Sequence, residues 1–337
     1  MMDRPLRQIQ WLVSIAIGLV LVVVLLGGWT RLNDAGLGCP DWPGCYGELI
    51  LPDSTQALEQ AQLRFPEARL DPEKGWLEMV HRYAAGSLGV LILLIALLSL
   101  RVRRLPGYPL TLALGLLGLV TVQALFGMWT VTLKLLPQVV TLHLLGGLLT
   151  LTLLVRLASR LRRVCHQQSV PRISRWVQLA MLLLFLQVAL GGWTSANYAG
   201  WACTDWLECN SAVEVELDFA AGFELTPHIG PDYEGGRRSV EARAAIQVSH
   251  RFMALVLLGY LFWLGWHYRL GQQRRPAQWV CAAAALQAGI GVANIIWALP
   301  LVLATAHHAG AVLLLLSLLW LYEHSGSYPQ EVRNERI

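Results

Sequence analysis

The chain has 337 residues, of which 55% are apolar and only 14% charged, and it carries a net charge of +4. Together with a mean hydropathy of +0.49, that balance excludes an ordinary soluble domain and implies an integral membrane protein. The small positive charge is gathered in arginine-rich connections, so it gives no support to nucleic-acid binding.

Crossing a bilayer takes about 20 mostly apolar residues per helix. Eight stretches qualify: 10–30, 80–100, 110–130, 138–159, 175–194, 247–268, 277–298 and 301–321. Each is read as a helix, because backbone groups in lipid must be satisfied within the segment. The first is kept as a membrane anchor rather than a cleaved leader. Its apolar run is too long, no small-residue cleavage site follows it, and its repeat partner lies mid-chain.

The second, fourth and sixth stretches are followed by basic connections: Arg101, Arg103 and Arg104, then Arg156, Arg160, Arg162, Arg163, Arg172 and Arg175, then Arg269, Arg274 and Arg275. The short connections of the opposite side offer only Lys134 and the tight Leu299-Pro300 turn. The positive-inside rule therefore predicts cytoplasmic termini, with the long loops 31–79 and 195–246 facing outward.

Along this order the chain repeats itself at an offset of 164 residues, Gly27-Gly28-Trp29-Thr30 returning as Gly191-Gly192-Trp193-Thr194. Ala35-Gly36 returns as Ala199-Gly200, and Cys39-x-Asp41-Trp42-x-x-Cys45 as Cys203-x-Asp205-Trp206-x-x-Cys209. Gln123, Gly127 and His143 reappear as Gln287, Gly291 and His307, while His81-Arg82 matches His250-Arg251 after an adjustment in the preceding loop. A repeat this long is a duplicated half-protein. The predicted fold is all-α, with eight transmembrane helices arranged as two pseudo-symmetric four-helix bundles, 1–165 and 166–337.

Of nine histidines, His166, His228, His267 and His324 fall in loops or at cytoplasmic helix ends, where a solvated imidazole suffices. His81 and His250 are expected to open the second and sixth helices, His143 lies in the first turns of the fourth, and His307 or His308 opens the eighth. Any one of them alone could simply tie a loop to a helix. Four at corresponding points of a duplicated bundle are a different matter, since ionisable groups at such depth face a bundle interior and mark a site. Two facing imidazoles per half suit the axial positions of haem iron, whereas zinc wants more ligands in a tetrahedral set. His307 is preferred to His308 because it keeps the offset from His143.

The halves differ at one telling place. Glu78 lies three residues before His81 on the same helix face, and the residue matching it before His250 is Gln247. A carboxylate beside a metal-bound substrate can act as a base or stabilise developing positive charge; the alternative is a residue favoured at a helix start by the macrodipole. The outer-loop cysteines likewise have two readings, a structural staple or a redox-active pair. Cys165 and Cys281 are expected to be plain thiols.

The segment 27–47, GGWTRLNDAGLGCPDWPGCYG, followed by Glu78-x-x-His81-Arg82 and by His143, His250 and His307 on separate helices, resembles the haem A synthase family over nearly the whole chain. The resemblance implies an eight-helix protein of the bacterial inner membrane, with periplasmic cysteine loops, that oxidises the C8 methyl group of haem O to the formyl group of haem A for terminal oxidases. It assigns His81 and His143 to the substrate haem, His250 and His307 to a haem b cofactor, Glu78 to catalysis, and Cys39 with Cys45 to a disulfide. A complete second pair, Cys203 with Cys209, departs from many relatives. The implied partners are haem O synthase, oxidase assembly factors and membrane lipid, with self-association left open. Rival readings are a di-haem b electron-transfer cytochrome and a haem-delivery protein; the Glu78/Gln247 contrast argues against a pure relay.

Overall fold

The carboxylate of Asp71 accepts a hydrogen bond from the Lys74 amide at 3.1 Å, and Pro72 follows it with a backbone angle suited to a first helical turn. The helix therefore begins two turns before the apolar stretch does. Ser239 caps the matching helix in the same way, accepting from the Ala242 amide at 3.2 Å. This corrects one expectation: His81 and His250 do not open their helices but sit in the third turn, and Glu78 is a helical residue rather than one at a helix start.

The structure, a computed structural model, describes residues 3–52, 54–68, 70–168, 173–205, 209, 216–226 and 228–325. Arg172 and Trp206, noted above, lie outside the described residues. The spans are α1 (Asp3–Leu32), α3 (Pro72–Arg101), α4 (Leu110–Thr132), α5 (Pro137–Cys165), α6 (Arg175–Ala196), α8 (Val240–His267), α9 (Arg274–Ile296) and α10 (Leu301–His324). Among the described residues these are the 8 helices long and apolar enough to cross a membrane, as expected. Two short helices, α2 (Thr55–Arg64) and α7 (Phe219–Gly222), lie in the long loops and were not expected.

Helix packing follows the repeat. α1 packs on α3 and α5, α4 on α5, and the partners α6, α8, α9 and α10 contact one another in the corresponding way. The halves meet through α1 with α10 and α5 with α6. Positions related by the offset touch each other directly. Arg31 donates to the Ser195 carbonyl at 2.6 Å, Tyr198 donates to Asp34 at 2.7 Å, and at the opposite end Ser159 bonds Glu323. Self-equivalent contacts of this kind arise where a two-fold axis passes, and repeats with four spans each place that axis along the membrane normal. Burial pushes the Tyr198 phenol up, which keeps it a neutral donor to Asp34.

The two ends of the bundle are built differently. On the arginine-rich side Leu6, Ile9, Val13, Ala16 and Val20 of α1 recur at helical spacing and join buried leucines of α5 and α10 in one solid core. On the cysteine-loop side the helices splay around a cavity. The first loop covers part of this end with a small core of its own, in which Cys39, Cys45, Tyr46 and Leu51 pack with Ala61 of α2 and Met79 of α3. The second loop crosses to the other half: the Tyr233 amide donates to the Lys134 carbonyl at 3.0 Å, and Gln138 donates to the Leu225 carbonyl.

Candidate functional site

The cavity measures about 2060 Å³ and is continuous between the halves. That is about twice the upper end of the 300–1,000 Å³ range usual for a single small-molecule site. It is lined by His81, His143, His250, His307 and Glu78, while His166, His228, His267 and His324 do not reach it.

Each of the four imidazoles leans on a glycine of a neighbouring helix. A Cβ added at Gly27 would stand 3.0 Å from Cε1 of His81, and at Gly191 3.2 Å from Cε1 of His250. Gly291 does the same for His307 at 3.1 Å, whereas a Cβ at Gly127 would make only ordinary contact with His143 at 3.5 Å. These notches let the rings stand between helices instead of being pushed along them. The glycines were visible in the repeat, but nothing in an apolar stretch distinguishes a ring-seating glycine from one that eases helix packing.

In the N-terminal half the His81 and His143 rings stand 6.5 Å apart, centroid to centroid, at an interplanar angle of 89°. Two imidazoles bound on opposite sides of one metal, each at about 2 Å, give a separation of this size. The Nδ1 atoms of His81, His143 and His307 are buried with no hydrogen-bond partner among the described residues, which is unusual for a native imidazole unless something else engages the ring. Among the described residues no group of three or more His, Cys, Asp or Glu side chains could hold a metal ion. The donor set thus fits a macrocycle that brings its own equatorial nitrogens and asks the protein for axial ligands.

His308 separates cleanly from His307. Its Nε2–H donates to the Val24 carbonyl of α1 at 3.0 Å, and its ring fills the space where a side chain on Gly28 would stand. The position equivalent to His308 is Leu144, which packs over Gly192 in the same fashion. His308, which also lines the cavity, thus ties the two halves together, and the paired glycines of Gly27-Gly28 and Gly191-Gly192 have separate tasks: one seats an imidazole, the other the neighbouring half.

Glu78 is clasped. Its Oε2 accepts from the Cys39 amide at 2.9 Å, and its Oε1 is ion-paired with Arg82 one turn along the helix. Arg82 also donates to the carbonyls of Asp41 at 2.9 Å, Pro43 at 3.2 Å and Gly44 at 2.5 Å. The Cys39–Cys45 disulfide closes that loop, and Cys203–Cys209 closes its counterpart, where Arg251 reaches the carbonyls of Cys203 and Asp205. Cys165 and Cys281 are free thiols. Gln247 is as buried as Glu78, at 5% against 4% exposure, so the halves differ here in charge and not in access. Its Oε1 has no hydrogen-bond partner among the described residues.

A second asymmetry went unread in the sequence. Gln187 of α6 lies 3.1 Å from Nδ1 of His250 and donates to the His250 carbonyl at 3.2 Å. Its equivalent in α1 is Val23, so His81 has no such amide. Gln287 makes a similar contact to the His307 carbonyl at 2.9 Å. A search for identities between the halves retains Gln287, which matches Gln123, and discards Gln187.

The chain matches the family described as cytochrome oxidase assembly protein (COX15-CtaA) over residues 10–319. It is similar to a protein of Shewanella oneidensis named Heme A synthase, with 41% identity over 92% of this chain and 94% of the relative. It is also similar to the Heme A synthase of Caulobacter vibrioides, with 30% identity over 93% and 94%. Agreement of this extent, running through both helical halves and the cysteine loops, places the chain in the COX15-CtaA family of cytochrome oxidase assembly proteins.

Proposed function

We propose that this protein is a haem A synthase that oxidises the C8 methyl group of haem O to a formyl group, supplying haem A to terminal oxidases. In this reading the N-terminal half, 1–165, takes haem O between His81 and His143. The C-terminal half, 166–337, holds a resident haem b between His250 and His307. The observation that carries the assignment is the Glu78 clasp: a buried, ion-paired carboxylate in the same cavity as one imidazole pair, opposite an equally buried neutral amide in the other half.

The chain's own groups divide the work as follows. His81 and His143 would hold the substrate macrocycle, with the notch at Gly27 seating the His81 ring. Arg82 and the Cys39 amide hold the buried Glu78 at a fixed place on the cavity wall, where a carboxylate interacts strongly with developing positive charge. Written with water as the oxygen donor, conversion of the methyl to the formyl group releases four protons and four electrons; the electrons pass to an oxidant outside the chain, and Glu78 is assigned as a proton acceptor. The disulfide restrains the loop that carries both the Cys39 amide and the carbonyls bound to Arg82. When bound, haem b supplies a one-electron carrier for electrons leaving the substrate. Haem O synthase and oxidase assembly factors are the proposed partners before and after this step. The arginine-rich connections support an inner-membrane orientation with cytoplasmic termini and periplasmic cysteine loops.

Pigment extraction from the purified protein tests this function. Haem b together with haem O or haem A is expected, along with loss of haem A from a strain deleted for the chain. Haem b alone, with haem A unchanged in the deletion strain, would favour the electron relay.

A further inference from the structure

The wall of the cavity differs in composition between the two halves. After the shared His-Arg pair, α3 continues Tyr83-Ala84-Ala85-Gly86-Ser87-Leu88-Gly89, while α8 continues Phe252-Met253-Ala254-Leu255-Val256-Leu257-Leu258. Counting from the histidines, Gly86 stands opposite Leu255 and Gly89 opposite Leu258. All four line the cavity. A Cβ at Gly86 or Gly89 would meet nothing within 4 Å, so these glycines are not there to let another helix approach.

Gly86 and Gly89 are one turn apart on one face of α3, about 7 and 12 Å along the helix from His81. Across from them on α4, Thr121 and Ala124 also line the cavity and are exposed. In the other half the residues matching Thr121 and Ala124 are Ala285, which is exposed as well, and Ala288, which is partly buried. The halves thus differ on α3 and α8: α3 presents two glycines with free space around them, where α8 presents Leu255, which is exposed, and Leu258, which is partly buried. The same cavity is lined by His81 and His143, whose Nδ1 atoms are buried with no hydrogen-bond partner among the described residues.

We propose that the Gly86–Gly89 gap receives the isoprenoid tail of haem O, and that Leu255 and Leu258 bar a tailed haem from the C-terminal half. This rests on the haem A synthase reading above. Haem O and haem b share the iron and the macrocycle, so axial histidines cannot tell them apart, and the long apolar substituent is the feature available for discrimination. An apolar chain lying in a lipid-facing gap stays out of water, whereas filling the gap with two leucines forces a clash or displacement.

The test is the haem inventory of purified full-length protein from a host making both haem b and haem O. Wild type is expected to yield haem b plus haem O or haem A. The Gly86→Leu/Gly89→Leu variant should lose haem O and haem A about tenfold or more, keep its haem b, and accept tail-less haem b at the vacated imidazole pair. Retention of haem O at the wild-type level overturns the inference. Should the leucine variant fail to accumulate, Leu255→Gly/Leu258→Gly decides the matter: additional haem O per chain supports the gate, and unchanged haem O overturns it. Wild-type protein carrying neither haem O nor haem A would overturn the functional reading as well, which separates the two failures.

Discussion

At the scale of single residues, adjacent histidines have opposite tasks. His307 rests on Gly291 in the cavity, and His308 donates to the Val24 carbonyl across the join between halves. His308→Leu, which installs the residue found at its counterpart Leu144, is expected to leave the haem content unchanged. His307→Leu should remove the haem of the C-terminal half. Equal loss from both variants, read as haem per chain, would refute this division. Gln187 offers a finer probe. Groups that hydrogen-bond a metal-ligating imidazole orient the ring and tune the metal, with effects typically of 10–100-fold on affinity or activity. Gln187→Leu should therefore shift the midpoint potential and spectrum of the C-terminal haem while the N-terminal pair is unaffected. An unaltered potential would reduce Gln187 to packing.

Among the elements, the connections between spans explain parts of the repeat that have no chemical role. Lys134 and Leu135 adopt left-handed backbone angles between α4 and α5, as do Ala298 and Leu299 between α9 and α10. Such conformations strain residues other than glycine by about 1 kcal/mol or more each. Each turn sends a leucine onto a glycine of the other loop: a Cβ on Gly36 would stand 2.9 Å from Leu135, and one on Gly200 3.2 Å from Leu299. This is why Ala35-Gly36 recurs as Ala199-Gly200. Gly36→Val should cost about 1–3 kcal/mol through overpacking, seen as a lower melting temperature with the imidazole chemistry intact. No change in melting would contradict that role. The spans themselves were legible because lipid forces long apolar helices, and the histidines because their depth made them conspicuous. Helix starts were not legible, since the capping by Asp71 and Ser239 lies outside the apolar runs. Nor was the link between Cys39 and Glu78, which depends on a loop folding back over α3. The unexpected α2 belongs with that loop, whose small core forms only when Ala61 meets Met79.

For the whole molecule, duplication supplies two equivalent frames around one axis, and function lies in their departures from equivalence. The frames agree at the glycine notches, the imidazoles, the arginines holding each disulfide loop, and the contacts that join α1 to α6 and α5 to α10. They differ at Glu78 and Gln247, at Val23 and Gln187, and at the glycines and leucines facing α4 and α9. On the proposed reading, these differences separate a half that takes the reacting ligand from one that keeps its ligand, with Gln187 steadying the His250 ring. The central claim is that the N-terminal half performs the chemistry through Glu78. The most direct test is the haem extracted from cells and purified protein carrying Glu78→Gln, which reproduces the residue of the other half at equal burial. Haem A should fall by about 100-fold or more, with haem O and haem b still bound to the protein. Haem A at the wild-type level in that variant would contradict it.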